Sequence, residues 1–230
     1  MRSGLEIFEK DLHPEVVAEI RGWTKHPELS KLLKKLESIK DWEQFLDFYA
    51  EAMVARHLIS QRCEIKVEVP TKNGKSADFK VSKGSDTFFV HVKRLNFDKE
   101  MQHDLNVGND PRVKDGGDDG RYLKKLKIAY KQFMPDGVNV ILVTSAWRES
   151  SSIEDLREDM KAFWSNGKHS DSNIIGWFLF HPREKSIDFK LFFRENSEKP
   201  LYIAELFGRN CEEMQTKYCD CHGPTGLLRK

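Results

Sequence analysis

Two stretches of this chain hold residue types that could do chemistry together. In SADFKVSKGSDTFFVHVKRL, Ser76 to Leu95, an aspartate opens one alternating run, and a histidine and a lysine stand two residues apart in the next. Alternation along a strand puts Phe89, His91 and Lys93 on one side and Phe88, Val90 and Val92 on the other. An ammonium beside Phe89 in a largely apolar strand is costly to bury unless an anion meets it. A hairpin turning at Lys83-Gly84-Ser85 would supply one, by bringing Asp78 roughly opposite His91 and Lys93. The second stretch is WEQFLDFYAEAMVARHLIS. At helical spacing Glu51 shares a stripe with Phe48, Ala55 and Leu58, so it lies at the margin of the apolar arc. A carboxylate there is expected to meet a cation or a metal. The plainer alternative is an ordinary cross-strand polar cluster of Asp78, His91 and Lys93, worth about 0.2–1 kcal/mol per pair.

Glu51 on a helix, Asp78 in ADF and the triplet His91-Val92-Lys93 on the next strand resemble, in that order, the PD-(D/E)xK phosphodiesterase superfamily, which has the restriction-endonuclease-like fold. The resemblance runs roughly from Asp41 to Ser145 and takes in the basic helix ending in KQF and the apolar run NVILV. It implies metal-dependent hydrolysis of nucleic-acid phosphodiester bonds. Charge on the non-bridging oxygens must be offset and a nucleophile generated, and a divalent ion held by carboxylates serves both needs. Mg²⁺ or Mn²⁺ is the implied cofactor, since hard ions prefer oxygen ligands. By resemblance Asp78 is the central metal ligand, Glu51 a helix-borne ligand or water-mediated partner, and Lys93 the catalytic lysine that orients water and offsets negative charge. Gln132, or Lys125 two turns earlier, would assist from the following helix. His91 departs from the pattern, because the family has Glu or Gln there, and Ala77 stands where Pro often precedes the Asp. A neutral imidazole removes one charge and shifts preference toward nitrogen-tolerant ions such as Mn²⁺. Two outcomes stay open: His91 is a ligand in a variant active nuclease, or the chain is a silent module that keeps the fold and binds nucleic acid or a protein partner. DNA and RNA are not distinguished, and a homodimer is compatible with cutting two strands.

Other candidates lie outside the triplet. Arg121, Lys124, Lys127 and Lys131 recur at helical spacing beside an apolar stripe of Leu123, Leu126, Tyr130 and Phe133. That basic stripe either tracks phosphates or is the solvated face of an amphipathic helix. Cys211, Cys219, Cys221 and His222 include zinc-ligand types, but the paired C-x-x-C knuckle is missing, and reduced thiols are expected instead. Trp23, Trp42, Trp147, Trp164 and Trp177 read as core or partly buried aromatics.

The elements that must position these residues follow from hydrophobic period. Pro14 and Pro27 suit first helical positions of two short helices, and Asp41 with Gln44 opens the long helix in the manner of a capping box. EIKVEVP, ADFKV and TFFVHVKRL alternate as three antiparallel strands, with Asn73-Gly74 a turn between the first two. Residues 96–120 show no period and read as a long loop. The basic helix RYLKKLKIAYKQF, the buried strand VNVILVTSAW and a helix in SSIEDLREDMKAFW follow, then strands IIGWFLF and SIDFKLFF around the turn HPREK. The expected class is α/β, a mixed central sheet flanked by helices, with a restriction-endonuclease-like core at 41–195, an N-terminal helical extension at 1–40 and an irregular tail at 196–230. With 38 basic and 37 acidic residues among 230, the chain is not an overall polyanion binder, so any nucleic-acid site must come from local clustering. No apolar run reaches membrane-spanning length and the start lacks signal-peptide character, so a cytoplasmic protein is expected.

Overall fold

The computed structural model describes residues 2–71, 74–95, 120–145, 153–165, 174–195, 200–208 and 211–214, together with residues 169, 172 and 197. Of the loop expected at 96–120, residues 96–119 lie outside the described residues, as do Asn73, Trp147, Cys219, Cys221 and His222.

Four helices come first: α1 (Gly4–Phe8), α2 (Pro14–Gly22), α3 (Leu29–Ser38) and α4 (Trp42–Ser60). Pro14 begins α2 as its missing amide donor allows. In α3, Pro27 and Glu28 precede the first helical residue, Leu29, rather than starting the helix. Asp41 caps α4 by accepting a 2.9 Å hydrogen bond from the Gln44 backbone N–H. Then come β1 (Glu64–Pro70), β2 (Ser76–Lys83) and β3 (Asp86–Arg94), which form an antiparallel meander. Gly84 opens the two-residue turn between Lys83 and Asp86 with φ +61°, the left-handed backbone that such a turn demands. Helix α5 (Arg121–Tyr130) leads to β4 (Val138–Thr144), and α6 (Ile153–Ser165) leads to β5 (Ile174–Phe180). The chain continues through β6 (Ile187–Arg194), α7 (Leu201–Leu206) and β7 (Cys211–Met214).

All seven strands join one mixed sheet in chain order, with β3–β4, β4–β5 and β6–β7 parallel and the other pairs antiparallel. The α/β class with a mixed sheet between helices is therefore as expected. One face of the sheet packs Phe79, Val90, Val140 and Leu142 against α4 and the amino-terminal helices. The other packs Ile141, Val143 and Ile175 against α5 and α6. Successive parallel crossovers of one hand set α5 and α6 on the same face.

Two expectations are corrected. The segment after residue 195 is not irregular throughout, because α7 buries Ile203 and Leu206 and β7 extends the sheet. Helix α5 stops at Tyr130, so Lys131, Gln132 and Phe133 follow its end instead of forming its last turn. The first forty residues share the core under the sheet: Leu5, Val16, Val17, Ile20, Leu32, Leu33 and Leu36 are buried with Phe45 and Tyr49 of α4. Glu28 also accepts a 3.0 Å bond from the Val67 N–H on the outer edge of β1.

Candidate functional site

The site forms where β2 and β3 part. Their ladder runs from Lys83↔Asp86 to Phe79↔Val90 and ends there. Beyond it β2 stays paired with β1 as far as Ser76, while β3 stays paired with β4 as far as Arg94. Asp78 is the first residue of β2 past the split. Its Oδ2 accepts a 2.7 Å bond from the Val92 N–H and a 3.0 Å bond from Lys93 Nζ. The carboxylate thus satisfies a backbone donor that the ladder leaves open. Lys93 Nζ also donates to the Val92 carbonyl at 2.9 Å. Both side chains are mostly buried, at 16% and 13% exposure, which strengthens the pair over a surface ion pair.

Glu51 reaches the same place from α4. Burial pushes its carboxyl up to about 8, the Asp78 charge adds to the rise, and Lys35 and Lys93 oppose it. Among the described residues, it makes no hydrogen bond or ion pair. Glu68 on β1 lies in the same field, ion-paired to Lys35 of α3 at 2.7 Å. Its φ of +56° is a left-handed backbone at a non-glycine residue, found here beside the acidic cluster.

His91 is fully buried. Its Nε2 lies 3.0 Å from Asn139 Oδ1, and its ring stacks on Phe133 with centroids 5.1 Å apart. Asn139 is itself oriented by the turn before β4: Oδ1 accepts from the Met134 N–H, and Nδ2 donates to the Met134 and Gly137 carbonyls. Oδ1 can only accept, so His91 Nε2 carries the proton and Nδ1 the lone pair. That Nδ1 is buried without a hydrogen-bond partner. Burial pushes the His91 pKa down to about 4, so the ring is neutral near pH 7.

Arg94 follows Lys93 and points to the opposite face. Its guanidinium, 1% exposed, donates to Asp47 Oδ1 at 2.8 Å, to Glu43 Oε2 at 2.8 Å and to the Glu43 carbonyl at 2.6 Å. Glu43, Asp47 and Glu51 are spaced four apart on α4, so the clamp fixes the side of the helix that carries Glu51. Lys125 approaches from α5. Burial lowers its pKa, Asp47 counters that, and Arg94 and Lys93 add to the lowering. The fold therefore turns Lys125 to the cluster, while Lys124, Lys127 and Lys131 of the basic stripe are exposed and Arg121 is half-buried. Gln132 Oε1 is buried without a hydrogen-bond partner.

The structure thus gathers Glu51, Asp78, His91, Lys93 and Lys125 around the parted strands. Reasoning from sequence did not single out Asp47, Arg94, Glu68, Lys35 or Asn139. Only the Glu43-Asp47-Glu51 spacing was a usable signal for the clamp. Among the described residues no three His, Cys, Asp or Glu side chains stand close enough to form a metal-ligand group. Two carboxylates can still suffice for Mg²⁺, which keeps waters and takes substrate phosphate oxygens. Glu51 and Asp78 Oδ1, neither of which has a hydrogen-bond or ion-pair partner among the described residues, are suitable donors for it, and the Nδ1 lone pair of His91 suits Mn²⁺.

A scan against protein-family models finds no match, and searches of curated proteins and of solved structures find none either. No described helix is long and apolar enough to cross a membrane.

Proposed function

We propose that this chain is a PD-(D/E)xK-type nuclease with a restriction-endonuclease-like core, hydrolysing nucleic-acid phosphodiester bonds at the cluster around Asp78. The observation that carries the reading is the double bond to Asp78 Oδ2, from Lys93 Nζ and the Val92 N–H, at the point where β2 leaves β3 with the Glu51 carboxyl in the same field. Glu51 and Asp78 would hold a divalent ion, and when bound it supplies Lewis acidity toward the phosphate. Lys93, kept near Asp78, orients the attacking water and offsets charge on the phosphorane-like transition state. Lys125 adds a second cation from α5, and the buried Gln132 Oε1 is a further acceptor just past the end of that helix. The basic residues Arg121, Lys124 and Lys131 would draw the polyanion toward the site.

A second reading is favoured by one feature, the fixed bond of His91 to Asn139 within the α5-facing core. It is a silent module on the same fold, binding nucleic acid or a protein partner. Cleavage of single- and double-stranded DNA and RNA with Mg²⁺ or Mn²⁺ separates the two. The nuclease reading expects wild-type cleavage, and at least about a hundredfold loss in Asp78→Asn and Lys93→Met, on the scale of removing an electrostatic group from a transition state. Equal cleavage by all three proteins defeats it. Binding without cleavage by the wild type selects the silent module.

A further inference from the structure

Among the described residues no helix covers the outer surface of β1 and β2, where Lys66 is exposed and Lys80 half-buried. Helices α5 and α6 cover the sheet from β3 onward, where Phe89 packs so tightly that a Cβ on Gly137 would meet its ring at 2.5 Å. On β1 and β2 the same face carries Glu64 and Lys66 beside Asp78, Lys80 and Ser82, while Glu68, with its left-handed backbone, turns to Lys35 of α3. Lys66 stands directly across from Lys80 in the ladder. Like charges in register oppose sheet formation. Among the described residues neither ammonium has an ion-pair or hydrogen-bond partner. Glu28 feels Lys66, but its carboxylate is engaged by Lys31 and the Val67 N–H. The nearby carboxylates are committed too, Glu68 to Lys35 and Asp78 to Lys93. Glu64, across from Ser82, closes the end of the ribbon away from the site.

We propose that this open face is a phosphate track on which Lys66 and Lys80 grip one nucleic-acid strand and lead it to the Asp78 cluster. The inference rests on the nuclease reading above and adds a binding surface to it. Two unpaired lysines held opposite each other form a fixed concentration of positive charge, and a strand of phosphates relieves their repulsion. Lys80 lies two residues along the same face of β2 from Asp78, about 7 Å at the strand rise. A strand held there is therefore next to Asp78. The track lies on a different element from the basic residues of α5, so the two surfaces can be tested separately.

The test is fluorescence anisotropy of labelled single-stranded and duplex oligonucleotides in EDTA across a salt series, with wild type, Lys66→Ala/Lys80→Ala and Lys66→Glu/Lys80→Glu. The double alanine variant should bind about tenfold more weakly. Its slope of log K against log salt should be shallower by about 1.4 for single strands, or about 1.8 for duplex, as for two lost phosphate contacts. The glutamate variant should bind weaker still, and the alanine variant should melt no lower than wild type because it removes a repulsion. Unchanged affinity and slope alongside wild-type cleavage would overturn the track and leave the nuclease reading standing. Polyglutamate displacing the oligonucleotide at equal charge concentration would overturn nucleic acid as the occupant. Failure of every oligonucleotide to bind wild type in EDTA at low salt would overturn the track, while the nuclease reading stands or falls on the cleavage assay with metal.

Discussion

Glu51 keeps its proton in the folded chain up to about pH 8, against 4.5 for the ordinary side chain. Between those values the unfolded chain is ionised and the folded one is not, so Glu51 makes folding less favourable as pH rises through that window. Glu51→Gln should therefore stabilise the ion-free protein at pH 8, by on the order of 2–3 kcal/mol, and change little at pH 4.5. Urea midpoints at the two pH values check this. His91 works in the other direction: its folded pKa of about 4 lies below the ordinary 6.5. The unfolded chain takes up a proton there that the folded chain refuses, so stability falls as pH drops from 6.5 to 4. His91→Phe, which preserves stacking on Phe133, should flatten that acid limb in a pH series of denaturation midpoints. Asp78, Lys93 and Glu51 were legible from alternation and helical stripe alone. The role of His91 was not, because it depends on Asn139, 48 residues away, and on how a turn orients that amide.

Helix α4 and strand β3 are joined by the Arg94 clamp, and the candidate site depends on their relative placement. Replacing Arg94 with Met would leave Glu43 and Asp47 facing a desolvated gap. Removing one partner from such a network should cost about 3 kcal/mol, measurable as a lowered urea midpoint. Asp47→Asn should cost less, because Asp47 is 38% exposed and Arg94 keeps Glu43. The strongly periodic elements were readable in advance: α4 with its Asp41 cap, the three-stranded meander and the apolar β4. Elements that take their stability from tertiary contact were not. α7 has six residues and β7 four, too few for a period to show. The early end of α5 was hidden for a related reason, since Phe133 continues the apolar stripe but packs against His91 from beyond the helix.

The amino-terminal helices behave as part of the whole molecule. Leu32 and Leu36 of α3 and Val16 and Ile20 of α2 are fully buried under the same sheet as α4, and Tyr49 donates to the Pro182 carbonyl in the β5–β6 turn. Removing residues 1–40 would uncover that apolar face and also take Lys35 away from Glu68. The shortened chain should lose its near-ultraviolet circular dichroism and its cooperative melt, and a separately folding core would retain both. Composition could not forecast this, because a helical prefix and a helical layer have the same periodicity. The layer has a further consequence at the margin of the sheet. With the Glu28 carboxylate fastened to the outward amide of Val67, β1 has one docking point fewer for a strand from another molecule, and growth into intermolecular ribbons is discouraged on that side.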